Sequence, residues 1–188
     1  QGSYTFYQLG ASFVMPVSIC ANSLKGIVKT FLFEAYTKKG CYVYKECDFN
    51  IDVDTLIETI NKDNYELIVI CNPSNPTGFT FTKNEVEKIL NSTNSFVMVD
   101  ETYIEFTNMS IYSSTSLVDK YKNLFVIRGT SKFFSTPGIR LGYGLISNNK
   151  IKFEMNSNLD LWNINIFASM MGEVMFNDSE FIESTYSL

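Results

Sequence analysis

The sequence has 188 residues, of which 45% are hydrophobic and 19% are charged, a balance typical of a soluble globular domain. The formal net charge of −5 argues against a broad binding surface for nucleic acid, and no apolar run reaches the length of a membrane span. The chain contains no histidine and no CxxC pair, so we predict no metal site and no histidine-dependent catalytic triad. Its four cysteines are interpreted as reduced thiols of a cytoplasmic protein.

The first thirty residues form the least regular part of the sequence. Gly10-Ala11-Ser12 could begin a helix, but Pro16 follows early in the next apolar run and favours an irregular start. A helix is predicted over residues 30–40, with Gly40 as its C-terminal stop, and a short strand over residues 41–44.

From residue 50 onward, predicted helices and strands alternate. Apolar positions at helical spacing predict an amphipathic helix over 52–61, and a capping box of Thr82 and Glu85 predicts a helix that ends near Leu90. Further helices are predicted over residues 113–122, 164–176 and 180–188, and buried or half-buried strands over residues 67–71, 96–99, 124–127 and 142–147. This alternation predicts an α/β fold of three layers, with a mostly parallel central sheet between helices.

Polar side chains follow three consecutive strands of the predicted sheet. Because ligands bind beyond the carboxyl ends of the strands in such sheets, we expect these side chains to form one site. The residues are Asn75 after the first strand, Asp100 and Tyr103 after the second, and Ser131, Lys132 and Arg140 after the third.

The stretch from Leu124 to Tyr143 is the most informative part of the chain. It holds the only two arginines, Arg128 and Arg140, on either side of Lys132. An amine, a guanidinium and hydroxyl groups at the end of a buried strand suit a phosphorylated aldehyde, because the amine can bond the carbonyl while the other groups hold the phosphate. Arg128, at the end of the strand, could pair with a nearby carboxylate instead, and we leave it out of the predicted site.

Three segments in this order resemble a known family. NPSNPTG (72–78), VDETY (99–103) and TSKFFSTPGIRLGY (130–143) are similar to motifs of the fold-type I enzymes that depend on pyridoxal 5′-phosphate (PLP). Among these the class I/II aminotransferases fit best, in the branch of histidinol-phosphate aminotransferase and threonine-phosphate decarboxylase. The resemblance implies amino-group transfer between an amino acid and a 2-oxo acid, both small molecules, and a homodimer when the protein is full length.

The resemblance also implies a role for each site residue. Lys132 matches the lysine that forms a Schiff base with PLP, and Asp100 matches the carboxylate that keeps the ring nitrogen protonated. Asn75 and Tyr103 match the two groups that hydrogen-bond the phenolic oxygen of PLP. Two readings without a cofactor remain open: Asp100 could cap a helix, and the Tyr103 hydroxyl could be satisfied locally.

Two parts of the expected cofactor site, the phosphate-binding turn and the stacking aromatic residue, do not follow the family pattern clearly. Ser131 and Arg140 match phosphate ligands, whereas Gly10-Ala11-Ser12 is only a possible remnant of the usual phosphate-binding turn. The aromatic ring that stacks on PLP must come from Phe31, Phe33 or Tyr36, and the sequence does not decide among them.

The expected domain organisation follows from a missing arginine. No arginine follows Arg140, although this family binds the substrate carboxylate through one in a C-terminal small domain. We therefore expect residues 1–188 to be the PLP-binding large domain of a longer enzyme, with an irregular part over 1–30 and helices over 160–188 that lead toward a small domain absent from this chain. Two alternatives remain: a PLP-dependent decarboxylase of a phosphorylated amino acid, and a truncated, non-catalytic relative.

Overall fold

The structure, a computed structural model, describes residues 5–7, 51–63, 65–75, 77–159 and 161–187, and residues 5–7 by their backbone alone. The helix expected over 30–40, the strand expected over 41–44 and the Gly10-Ala11-Ser12 turn lie outside the described residues. The three candidate stacking residues, Phe31, Phe33 and Tyr36, lie outside them as well.

A five-stranded mixed sheet forms the centre of the molecule. Its strands are β1 (Thr5–Tyr7), β2 (Leu67–Cys71), β3 (Phe96–Asp100), β4 (Leu124–Gly129) and β5 (Gly142–Ile146), arranged in the order β1-β5-β4-β3-β2. β2, β3 and β4 are parallel to one another, while β5 is antiparallel to both β4 and β1. β1 therefore runs in the same direction as β2, β3 and β4, and the prediction of a mostly parallel sheet is confirmed.

Helices cover both faces of this sheet. The six α-helices of the described residues are α1 (Val53–Asp63), α2 (Lys83–Ser92), α3 (Met109–Tyr112), α4 (Asn149–Ser157), α5 (Ile166–Met175) and α6 (Ser179–Tyr186). Two short 3-10 helices span Ile104–Phe106 and Thr115–Leu117. No helix in the described part of the chain is long and apolar enough to cross a membrane.

Alternation along the strands divides the core into two layers. Val97 and Val99 of β3 pack on one face, together with side chains of α1 and α2 such as Ile60 and Val86. Met98 of β3 faces the other side and packs in a cluster with Met155 of α4. Because successive strand residues point to opposite faces, β2, β3, β4 and β5 each contribute to both layers, as the continuous apolar runs predict.

The helix predicted over residues 113–122 is wrong. The structure has the four-residue helix α3 before this segment and only the 3-10 turn Thr115–Leu117 within it. Two backbone amides donate to side chains here: the Thr115 amide to the nearby Ser113 Oγ at 3.2 Å, and the Ser114 amide to the more distant carboxylate of Glu101. Serine and threonine that bond the backbone in this way compete with a regular helix.

The other elements predicted from residue 50 onward are found, with shifted ends. α1, α2, α5 and α6 correspond to the four other helices predicted from residue 50 onward. Helix α4 is not among the predicted elements, although Asn148 accepts hydrogen bonds from the amides of Lys150 and Ile151 and so marks its start.

Candidate active site

The carboxyl ends of three parallel strands meet at one edge of the sheet. Cys71 at the end of β2 is in register with Asp100 at the end of β3, and Asp100 is in register with Ile127 near the end of β4. The polar segments that follow these strands therefore begin side by side, which is the arrangement that the strand order predicts.

Two of the predicted site residues, Asn75 and Lys132, each contact a third, Tyr103, at this edge. Asn75, in the loop after β2, donates its side-chain amide to the hydroxyl of Tyr103 over 2.9 Å. The Lys132 ammonium lies over the ring of the same tyrosine, 5.6 Å from the ring centroid, which is within the range of a cation–π contact. Asn75 and Lys132 are exposed and Tyr103 is half-buried, so the group is open to a ligand.

Asp100 ends β3 at the same edge. Its Oδ1 accepts from the Thr102 amide at 3.0 Å and from the Thr102 hydroxyl at 2.5 Å. The 3-10 helix begins beyond Tyr103, so Asp100 does not cap it, and that alternative is wrong. Burial raises the pKa of Asp100 above its ordinary value, and the bonds from Thr102 oppose the rise. No salt bridge to Asp100 occurs within the described residues.

Ser131 and Arg140 belong to the loop that also carries Lys132. This loop is closed at its base, because the amide and hydroxyl of Thr130 both donate to the carbonyl of Leu141, each at 3.1 Å. Arg140 has a left-handed backbone with φ of 60°, and its Nη1 donates to the Pro137 carbonyl at 2.7 Å. A non-glycine residue in this conformation stores about 1 kcal/mol or more of strain, so the rest of the loop must hold it there.

Aromatic packing holds the Lys132 loop against the end of the chain. Phe133, the residue after Lys132, is buried and lies 5.5 Å from Phe106 and 5.3 Å from Tyr186 of α6 between ring centroids. Phe134 stacks on Phe181 of α6 at 5.9 Å. Lys132 itself is exposed and lies over the ring of Tyr103, which adjoins Phe106 of this cluster.

Arg128 lies outside the site, as expected, and pairs with a carboxylate. Its partner is Glu101, which directly follows Asp100 in the sequence. Sequence reasoning did not identify Glu101 and Glu105, two buried carboxylates in the segment that carries Tyr103. The available signal was two carboxylates on either side of Tyr103 and one arginine at the end of the next strand.

The chemistry of these residues fits a ligand with several distinct functional groups. An exposed amine can bond an aldehyde, and a tyrosine hydroxyl bonded to an amide can bind a phenolic oxygen. Asp100, half-buried and without a cation among the described residues, is suited to a protonated ring nitrogen. Ser131 and Arg140 offer a hydroxyl and a guanidinium for a phosphate. Together these residues match the functional groups of PLP.

Comparison with known proteins assigns the family. The model of the family described as "Aminotransferase class I and II" matches residues 33–187, which is most of the chain. The chain belongs to this family.

Individual relatives lie in the expected branch. A histidinol-phosphate aminotransferase of Methanococcus aeolicus is 36% identical over 75% of this chain and 37% of its own length. A putative threonine-phosphate decarboxylase of Caldanaerobacter subterraneus subsp. tengcongensis is 38% identical over 63% of this chain and 33% of its own length. The crystal structure of the histidinol-phosphate aminotransferase from Clostridium acetobutylicum matches with a TM-score of 0.69 and 34% identity, over 74% of this chain and 42% of that one.

The chain thus spans less than half the length of these relatives. Their names describe whole enzymes, so the activity of the whole protein has to be argued from the residues of this chain.

Proposed function

We propose that this chain is the cofactor-binding part of a PLP-dependent aminotransferase that moves an amino group between an amino acid and a 2-oxo acid. The observation that carries the proposal is the contact of Lys132 and Asn75 with Tyr103, beside Asp100 at the end of a parallel sheet. Membership of the class I and II aminotransferases supports the same function.

Six residues would hold the cofactor. Lys132 would bond the aldehyde carbon, Asp100 would pair with the ring nitrogen, and Asn75 and Tyr103 would bind the phenolic oxygen. Ser131 and Arg140 would bind the phosphate, for which a guanidinium provides two parallel donors. When bound, PLP would supply a protonated ring that accepts the electrons released at the α-carbon of a substrate held through its amino nitrogen.

The residues themselves would orient the substrate carbon and move its proton. The amine of Lys132 lies on a flexible four-carbon stem, so once a substrate amine had displaced it from the aldehyde carbon it would be free to act as a base at the α-carbon of the substrate. Asp100 would keep a proton on the ring nitrogen, because a carboxylate beside that nitrogen favours its charged form.

A second candidate reaction is decarboxylation of a phosphorylated amino acid. It is supported by the 38% identity to the putative threonine-phosphate decarboxylase, which is as high as the identity to the aminotransferases. Both reactions need the same six cofactor residues. They differ in which bond of the α-carbon breaks.

The deciding experiment uses the full-length protein loaded with PLP. Incubated with histidinol phosphate and 2-oxoglutarate, the aminotransferase should consume the oxo acid and form glutamate without releasing carbon dioxide. Incubated with threonine phosphate, a decarboxylase should release carbon dioxide while leaving the oxo acid untouched. The absence of both reactions in a protein that binds PLP would favour a non-catalytic relative.

A homodimer in the cytoplasm is also part of this proposal, and it rests on the family resemblance. Small-angle scattering of the full-length protein should give the mass of two chains. A monomer would contradict the proposed dimer.

A further inference from the structure

A buried ionic cluster links the segments that carry Tyr103 and Lys132. Arg128 donates from Nε and Nη2 to the same oxygen of Glu101, Oε2, at 3.0 and 2.9 Å. The side chain of Arg128 is 13% exposed and that of Glu101 is fully buried. Ser113 bonds to both partners, since its hydroxyl donates to Glu101 at 3.0 Å and accepts from Arg128 at 2.8 Å.

Glu105 is the third charged member of the cluster. Its Oε1 lies 3.9 Å from Nη1 of Arg128, and its other carboxylate oxygen is buried with no hydrogen-bond partner among the described residues. Tyr143 of β5 faces the same guanidinium, so one cation meets two carboxyl groups and a phenol. Burial raises the pKa of Glu105 to about 7 and raises the pKa of Glu101, while Arg128 opposes both shifts.

The cluster joins the two backbone segments that carry the proposed catalytic groups. Glu101 and Glu105 lie on either side of Tyr103, in a turn where the Ile104 amide donates to the Glu101 carbonyl at 3.0 Å. Arg128 is the second-last residue of the neighbouring strand β4 and lies four residues before Lys132. The Arg128–Glu101 contact thus bridges the segment of Tyr103 and the segment of Lys132.

Stability alone does not explain such a cluster. A buried ion pair recovers little more than the cost of removing its charges from water, and apolar residues of similar size often stabilise a protein as well or better. Its geometric specificity is different, because a guanidinium that donates from two nitrogens to one carboxylate restricts both distance and orientation. That property is useful where two strand ends must hold reacting groups in a fixed relation.

We propose that Glu101, Arg128 and Glu105 are positioning residues that fix the separation between Tyr103 and Lys132. The proposal rests on the proposed function, since the groups being positioned are those assigned to PLP. The residues of the cluster touch neither cofactor nor substrate, and they act through the backbone segments that they join.

The test compares variants of the full-length protein loaded with PLP, with no substrate present. Arg128→Lys keeps the charge and loses the two-point contact, and Ser113→Ala removes one hydrogen bond from each partner without changing any charge. The control is Lys120→Met, which breaks the exposed Lys120–Glu87 pair of 2.6 Å. Three quantities are measured: the dissociation constant of PLP, the pH midpoint of the visible absorption of bound PLP, and the urea midpoint of unfolding.

Arg128→Lys should weaken PLP binding about tenfold, the effect of one lost charge-assisted hydrogen bond, and should move the pH midpoint of absorption. Ser113→Ala should move the midpoint in the same direction by less, and Lys120→Met should leave it unchanged. If Arg128→Lys does not fold, the pH midpoint of absorption in Ser113→Ala tests the positioning role instead. An unchanged pH midpoint in folded variants would overturn the positioning role alone, whereas an unaltered protein without a Lys132-dependent absorption band would overturn the proposed function.

Discussion

Asp100 and Glu101 are adjacent acidic residues with opposite surroundings. Because neighbouring residues at the end of a strand point to opposite faces, Glu101 lies toward Arg128, while Asp100 lies beside Cys71 of the neighbouring strand. Glu101 is neutralised by Arg128, and no salt bridge reaches Asp100 within the described residues. Because Arg128 pairs with Glu101 and not with Asp100, the carboxylate of Asp100 is available for a cationic group of a ligand.

Glu105 should make the stability of the protein depend on pH. Its pKa is raised from 4.5 to about 7 by burial, so between these values the folded state holds a proton that the unfolded state has lost. The free energy of unfolding should therefore fall as pH rises from about 4.5 to 7, by on the order of 3 kcal/mol, and should not fall further on this account above pH 7.

Urea unfolding at several pH values checks this expectation with the variant Glu105→Gln. The variant should flatten the fall in stability, with a residual slope from Asp100 and Glu101, whose pKa values burial also raises. Glu180→Gln, on the exposed side of α6, should keep the full slope. A Glu105→Gln protein that loses stability with pH as steeply as the unaltered protein would contradict the assignment.

The place of the proposed site residues at the ends of neighbouring strands could be predicted from sequence, and the Glu101–Arg128 contact beside them could not. Asn75, Asp100, Tyr103 and Lys132 each follow an apolar run in a short motif, so local reading finds them. The contact between Glu101 and Arg128 joins positions 27 residues apart, and nothing local distinguishes it from two solvated charges.

At the scale of elements, strand β5 packs closely against β4 because Gly144 of β5 has no side chain. A β-carbon at Gly144 would lie 2.7 Å from Cζ of Phe125, which is buried between the strands and α4. Gly129 at the end of β4 differs, since the nearest atoms to its β-carbon would be 3.9 Å away.

Gly144→Ala should therefore lower the free energy of unfolding by about 1–3 kcal/mol, the cost of overpacking a core. Gly129→Ala is the matched control and should change stability far less. Phe125→Leu should relieve the clash, so that the double variant Phe125→Leu/Gly144→Ala loses less than the sum of the single losses. Equal losses in Gly144→Ala and Gly129→Ala, measured by urea unfolding, would show that close packing at Phe125 is unimportant.

Helix α2 begins with a complete capping box. The Glu85 amide donates to the Thr82 hydroxyl at 3.3 Å, and the Thr82 amide donates to the Glu85 carboxylate at 2.7 Å. Thr82→Ala should cost about 1 kcal/mol of unfolding free energy. Thr80→Ala, whose hydroxyl bonds a loop carbonyl and caps no helix, should cost under about 0.5 kcal/mol. Thermal unfolding of both variants measures the difference. Equal shifts in Tm would contradict a stabilising role for the capping box.

Helices with a strong periodicity of apolar residues could be predicted from sequence, and segments in which that periodicity is weak could not. α1 and α2 carry apolar stripes that pack on the sheet. α4 buries only Met155 fully, so its period is faint, and residues 113–122 contain the serine and threonine pattern of local side-chain bonds. In both places the outcome depends on packing and hydrogen bonding that sequence spacing does not specify.

At the scale of the whole molecule, the two faces of the sheet form the apolar core and its carboxyl edge carries the proposed site. Apolar residues fill both faces of the sheet under the helices, while the polar residues of the proposed site collect at the carboxyl edge of β2, β3 and β4. The edge receives groups from segments far apart in the chain, which is why three short motifs in order could predict it.

Attachment of PLP to Lys132 is the claim on which the account depends most. The full-length protein should be incubated with PLP, reduced with borohydride, digested and analysed by mass spectrometry, alongside Lys132→Ala and Lys122→Ala, a change at an exposed lysine in the connection that precedes β4. We predict one pyridoxyl phosphate group per chain, on the peptide that contains Lys132, retained in Lys122→Ala and lost in Lys132→Ala. Labelling that persists at the same level in Lys132→Ala, or that spreads evenly over the lysines of the unaltered protein, would contradict the account.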